Sequence, residues 1–363
     1  MSFNRSANIQ GLDMNRTEKV NILFSLGRIL SSIGCGEKWP GYEVGINEAE
    51  YKELEEVVEK AHIYNAWFTA DAVRESFRGI ASWLNEETLG DGLSSYDFTE
   101  SAPKRVAVIM AGNIPLVGFH DFLSVFLSGN VTVAKLSSAD NYLFPVIVKL
   151  MTLMDERMSN WVEIADGQLT DFDAVIATGS TNSSRHFEYY FGAYPNIIRK
   201  NRNSIAVIDG TETEEELHEL GKDIFTYFGL GCRNVAQLWI PEDFDVDRFF
   251  RAIYGYSDII NHFKYANNYQ YNRAVHLMNL DKLLDNGFLL LKEDDKLQSP
   301  LGMLYYQRYK SPDEVEDFVE KHRDDIQVVI GKKYLPFGQA QQPAFTDFAD
   351  GVDTLRFLEQ LSR

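Results

Sequence analysis

Cysteine is nearly absent from this chain: 363 residues contain two, Cys35 and Cys232. A disulfide framework or a multi-cysteine metal site needs more than that. Two widely separated thiols suit a reducing compartment, so a cytoplasmic location and no bound metal are expected. Long apolar runs are missing as well. None reaches the roughly 18 residues needed to span a bilayer, which predicts no transmembrane segment, and the opening "MSFNRSANIQGLDMNRTEKV" lacks the apolar stretch of a secretory signal. Basic residues are in deficit, 35 against 54 acidic, for a net charge of −19. That excess argues against nucleic acid as a partner. It leaves room for an anionic ligand held by loop amides and a few local cations. Repeats of 20–50 residues and low-complexity tracts are also lacking, which excludes solenoids and arrays.

What is present is ordinary for a globular protein, with 45% hydrophobic and 25% charged residues, and the length is comfortable for two domains. The first hundred residues read as helices. "RTEKVNILFSLGRILSSIG", "NEAEYKELEEVVEKAHIYN" and "AWFTADAVRESFRGIASWLN" carry apolar residues at helical spacing. At Lys104 the texture changes. "KRVAVIM", "NVTVAK", "FDAVIATG" and "NSIAVIDG" read as buried strands alternating with helices, the signature of a parallel sheet covered on both faces. A second unit begins near Thr211, with strands "VAQLWI", "GMLYYQRY" and "IQVVIG" between helices. The predicted fold class is therefore α/β, two units with parallel sheets behind an N-terminal helical segment. Residues 1–209 form the first domain, its sheet starting at about 104, and residues 210–363 the second, including the C-terminal tail.

Three loops, "AGNIP", "KLSS" and "TGST", each follow a predicted strand, at the sheet edge where ligands bind in open α/β folds. The small residues of "TGST" let amides approach a phosphate near a helix N-terminus, although such turns are common without a ligand. No GxGxxG follows the first strand. Lys135, ending a strand, is placed either to reach a ribose or phosphate or to stand in solvent. Asn113 is either an oxyanion donor or an Asx-turn residue. Cys232 lies in "YFGLGCRN". A lone cysteine can be a small buried hydrophobe, but flanking glycines expose the backbone here, and Arg233 either favours a thiolate or forms an outward salt bridge. Cys35, in "SSIGCGEKWP" with no basic partner in sequence, is read as structural.

Taken together, "AGNIPLVGFHDFLSVFLSGNVTVAKLSSAD", "TGSTNSSR", "FGLGCRN" and "LPFGQAQQP" resemble four motifs of the aldehyde dehydrogenase superfamily in their proper order. More closely, the chain resembles the acyl-CoA reductase branch, which includes the fatty-acid reductase that supplies aldehyde in bacterial bioluminescence. The similarity runs from about Lys104 to the C-terminus. The resemblance implies that Cys232 is the nucleophile and that Asn113, with the Cys232 amide, makes the oxyanion hole. It implies that Lys135 contacts the adenosine ribose or its phosphate, and that Gly179 and Ser180 lie by the cofactor pyrophosphate.

Three departures sharpen this. Hydrolytic members carry a water-activating glutamate before the strand that here reads "NSIAVID", whereas no acidic residue occurs from Ile197 to Ile208. CoA-dependent members do without it. The glutamate that in NAD-preferring members follows the lysine by three positions is here Ser138, which permits NADPH, with NADH as the other option. The chain is also shorter than a typical member, which leaves a homo-oligomer open. The expected activity is NADPH-dependent reduction of an acyl-CoA, with a fatty acyl group, to the aldehyde through a cysteine thioester, releasing CoA. The alternatives are an acyl-phosphate reductase or hydrolytic aldehyde dehydrogenase, a cysteine-dependent acyl transferase or thioesterase, and a non-catalytic nucleotide-binding protein. The aromatic stretch "YGYSDIINHFKYANNYQYNRA" is either packing or part of an acyl tunnel.

Overall fold

A computed structural model describes residues 12–98, 102–179 and 181–362. The chain divides into two compact units, Met1–Lys200 with Ala344–Arg363, and Asn201–Pro343. The expected α/β class with N-terminal helices is present. No helix among the described residues is long and apolar enough to cross a membrane.

The first unit opens with α1 (Arg16–Gly34), α2 (Glu48–Tyr64), α3 (Ala70–Trp83) and α4 (Glu86–Leu93). The starts of α1 and α2 are set locally. Asn15 and Asn47 each accept from the amide three residues on, while Glu18 and Glu50 reach back to the cap amides, closing two capping boxes. Next come β1 (Arg105–Ile109), α5 (Phe119–Leu127), β2 (Val131–Lys135), α6 (Leu143–Met154), β3 (Val162–Ile164), β4 (Ala174–Thr178), α7 (Thr181–Phe191) and β5 (Asn196–Arg199). The sheet has the order β3-β2-β1-β4-β5 and every pairing is parallel. Helix α5 is buried almost all round, as its sequence "FHDFLSVFL" requires. Its Phe119, Phe122 and Phe126 share a core with Leu23, Leu26 and Leu30 of α1.

The second unit comprises β6 (Asn203–Val207), α8 (Glu214–Phe225), β7 (Val235–Pro241), α9 (Val246–Ala252), α10 (Phe263–Met278), β8 (Leu284–Asp285), β9 (Leu290–Glu293), β10 (Met303–Tyr309), α11 (Pro312–Lys321) and β11 (Ile326–Ile330). Its sheet runs β11-β6-β7-β10-β9-β8, parallel except for the β8–β9 pair. The chain then returns to the first unit as α12 (Thr354–Ser362).

Two boundaries differ from the sequence reading. Strand β6 was assigned to the domain ending at residue 209, but it pairs with β7 and β11 in the second sheet, so the first unit ends before it. The C-terminal helix was assigned to the catalytic domain, but Leu355 and Leu358 are fully buried in the first unit's core. Polar contacts hold the same return. Tyr96 Oη donates to Asp353 (2.9 Å), the Asp97 amide to Glu359 (3.0 Å), and Arg199 to Thr354 Oγ1 (2.8 Å).

Candidate active site

In the first unit, a crevice of about 1070 Å³ opens at the carboxyl ends of β1, β2 and β4. Strand order reverses between β1 and its neighbours there, the place where open α/β sheets leave room for a ligand. Lys135, Ser137, Thr178, Gly179 and His186 line it, with Phe172, Phe187 and Tyr190 as aromatic walls. The structure thus brings Lys135 and Gly179 to one crevice. A Cβ on Gly179 would stand 2.8 Å from the Phe187 ring and 2.9 Å from Ser183 Cβ, so only glycine lets this loop lie close on α7. Ser138 sits in an exposed turn and is not among the lining residues, whereas Ser137, which sequence reasoning passed over, is. Ser180 lies outside the described residues. The cleft's size, its cation and its glycine fit a dinucleotide.

Asn113 is exposed in the loop after β1. That loop is held on both sides. Ser76 Oγ donates to the Pro115 carbonyl (2.8 Å), and the Leu116 amide donates to Asp140 (2.9 Å). Leu116 is left-handed, with φ 55°, a conformation that costs a non-glycine residue about 1–2 kcal/mol. The Asp140 bond offsets part of it. Burial pushes the Asp140 carboxyl up to about 6, despite the two amides that favour its charge.

Cys232 belongs to the second unit and is exposed, so the buried-hydrophobe reading of it falls. Cys35 is also exposed, at the C-cap of α1. Three successive left-handed residues lead toward Cys232: Tyr227 (φ 53°), Phe228 (φ 60°) and Gly229 (φ 80°). Two of these are bulky, and such strain persists only where the surroundings fix it. The Phe228 ring lies 4.3 Å from the His262 ring. The cysteine then occupies the second position of a turn closed by the Asn234 amide on the Gly231 carbonyl (3.0 Å). Ser204 Oγ, on β6, donates to the Cys232 carbonyl (3.0 Å). The buried Asn234 side chain accepts from the Gly231 amide (2.8 Å) and donates to the Asp223 and Thr226 carbonyls (3.0 and 2.9 Å). It thereby satisfies carbonyls that the end of α8 would leave orphaned. Arg233 Nε donates to the Ala340 carbonyl (2.5 Å).

A cavity of about 280 Å³ adjoins the thiol. Asn201, Arg202, Asn203, Tyr265, Gln298 and Met303 are among its walls. None of the second-unit residues lining it is Asp, Glu or His. Of the aromatic stretch, Tyr265 contributes to this wall, its hydroxyl donating to the Phe288 carbonyl (3.0 Å). Ser204 and Asp223 carried no signal in the sequence, because their partners lie far along the chain, and Asn234 stood inside the cysteine motif with no role read for it.

Two α/β units, a dinucleotide-sized crevice in one and an exposed cysteine on a strained turn in the other, define an aldehyde dehydrogenase-type fold. Solved structures agree on the fold. An aldehyde dehydrogenase C mutant from Pseudomonas syringae, complexed with NAD+ and octanal, has TM-score 0.63 at 12% identity, covering 90% of this chain and 74% of its own. An acetylating aldehyde dehydrogenase from Geobacillus thermoglucosidasius has TM-score 0.58 at 10% identity, covering 90% and 78%. An NADP-dependent enzyme of E. coli has TM-score 0.61 at 12% identity, covering 89% and 74%. Residues 85–253 match the family model described as acyl-CoA reductase (LuxC). That match, together with the shared fold, is consistent with the acyl-CoA reductase branch of the aldehyde dehydrogenase superfamily and supports an aldehyde-related oxidoreductase. No curated protein matches it significantly in sequence.

Proposed function

We propose that this chain reduces an acyl-CoA, with a fatty acyl group, to the aldehyde using NADPH, through a thioester on Cys232. One observation carries the reading: the cavity beside the thiol is walled by Asn201, Arg202 and Asn203, and no second-unit residue lining it can serve as a carboxylate or imidazole base. Activated water is what a hydrolytic enzyme must supply at this point, and a general base contributes about 10²–10⁴-fold to such a step. A thiol leaving group and a thiol acceptor do not need it.

The Cys232 thiolate adds to the acyl carbonyl to give a tetrahedral oxyanion, whose collapse breaks the carbon–sulfur bond to CoA and releases CoA as thiolate. The oxyanion is assigned to the Asn113 amide and the Cys232 backbone N–H, worth about 10²–10³-fold per donor. Lys135, Ser137 and Gly179 would hold the cofactor, and its nicotinamide would supply hydride to the acyl carbon. Cys232 leaves as thiolate, ready for the next acyl group.

Intact-mass measurement after adding acyl-CoA tests this. The wild type is expected to gain one acyl group and to lose it when NADPH is added, while Cys232→Ala gains none. In the oxidative direction, aldehyde and NADP+ should give about one turnover per site without CoA and sustained acyl-CoA formation with it. Acylation of Cys232→Ala, or rapid CoA-independent release of free acid, overturns the reading. An adduct formed from acyl phosphate but not from acyl-CoA would move the protein to the acyl-phosphate reductases.

A further inference from the structure

Asp223 is a fully buried carboxylate near the end of α8, an expensive group to place in a core. Both its oxygens are committed. Oδ2 accepts from the Gly338 amide (2.7 Å) and Oδ1 from the Ala340 amide (2.8 Å). Those amides belong to residues 336–340, and the Ala340 carbonyl in turn takes the Arg233 Nε. Arg233 is the residue after Cys232. On the other side, the Asp223 carbonyl takes the Asn234 side chain, whose oxygen holds the Gly231 amide. The hydrogen bonds therefore form a closed ring. It runs from the cysteine turn through Asn234 to Asp223, on to Gly338 and Ala340, and back through Arg233.

We propose that Asp223 is a positioning residue for the Cys232 nucleophile, fixing the cysteine turn through this ring. This rests on the reading of Cys232 as nucleophile. The choice of residue supports it. Two N–H groups converge on one side chain, and only a carboxylate offers each its own oxygen. A core filler at this place would be apolar, since a buried charge is usually less stable than a well-packed hydrophobe. Burial, together with Glu219 on the same helix, pushes the carboxyl up to about 6, while the two amides and Lys222 favour its charge. Tyr256, from the segment after α9, is a further titratable group near enough to feel the Asp223 charge. Because nucleophile geometry within about 1 Å governs rate, a loosened turn lowers turnover without removing the thiol.

The test uses the full chain. Asp223→Asn keeps the shape but offers one acceptor to two amides. Hydrogen exchange read by peptide mass spectrometry is expected to quicken at least about tenfold in residues 336–341 and also in residues 229–235, with residues 214–220 unchanged. The kcat for acyl-CoA reduction is expected to fall about tenfold at unchanged KM. Arg233→Met cuts the same ring at a half-buried side chain, serves if Asp223→Asn does not fold, and should give the same pattern. The double variant should be no worse than either single one, since the residues act as one device. Faster exchange confined to residues 336–341 in both variants overturns the ring. Faster exchange at 229–235 with unchanged kcat overturns the positioning role. Exchange needs no acyl substrate, so a wild type that forms no acyl enzyme would refute the proposed function and leave the ring to be decided on exchange.

Discussion

Adjacent serines in the loop after β2 occupy different surroundings. Ser137 lines the crevice and Ser138 stands in the exposed turn. A carboxylate in the crevice would repel a cofactor phosphate across little water, while one on the turn is screened within a Debye length of about 8 Å. Ser137→Glu is therefore expected to weaken NADPH binding at least about tenfold, which is 1.4 kcal/mol, and Ser138→Glu by much less. Titration of nicotinamide fluorescence checks this, and equal weakening would count against Ser137. The sequence put the weight on Ser138 by counting three residues from Lys135. The strand end at Lys135 is readable, but which serine of the loop after it faces the crevice depends on how that loop turns. The placement of Lys135 and Gly179 in one crevice was legible because motif and strand end coincide at each. Asp223 was not, because its acceptor role is defined by amides 115 and 117 residues further along the chain.

At the scale of elements, the long apolar periodicities were legible and the short edge strands were not. Strand β5 is four residues at a sheet edge, and one of its inward positions is Arg199, buried against Asp121 at 2.5 Å. A strand that buries an arginine shows no apolar run. Helix α1 hides a comparable exception. Lys19 is buried, its Nζ 3.1 Å from the centre of the Trp161 ring and 3.3 Å from the Phe126 carbonyl. Burial pushes its pKa from 10.5 down to about 7. The folded state therefore binds fewer protons than the unfolded chain between those values, and stability rises with pH across that window. The full shift corresponds to an upper bound of roughly 5 kcal/mol lost at neutral pH. Lys19→Met is expected to be more stable than the wild type at pH 7, with the gap narrowing toward pH 10. Thermal melting of both proteins across that range decides it, and a gap that does not change with pH would place the lysine's cost elsewhere.

For the whole molecule, the division into α/β units followed from alternating strands and helices, but the route of the chain between them did not. Nothing in the apolar pattern of α12 says which of two cores will take it. That route has a measurable effect. A chain truncated after Pro343 lacks every contact made by Phe345, Asp353, Thr354, Leu355, Leu358 and Glu359 in the first unit. Limited proteolysis of it is expected to leave a resistant fragment spanning 201–343 while the first unit is digested. Equal resistance of both units would show that the return is dispensable.

The same return imposes an order of events during synthesis. His120 waits for a carbonyl 225 residues later and Tyr96 for a carboxylate 257 residues later. At about 5–20 residues per second, the ribosome spends roughly 7–30 s making the second unit before those partners emerge. For that interval the nascent first unit has all five strands of its sheet but an open flank of apolar side chains. The second unit, contiguous in the chain, can close at once. The half of the protein that is made first is thus the half that finishes last, and its yield in the cell depends on what shields that flank in the meantime.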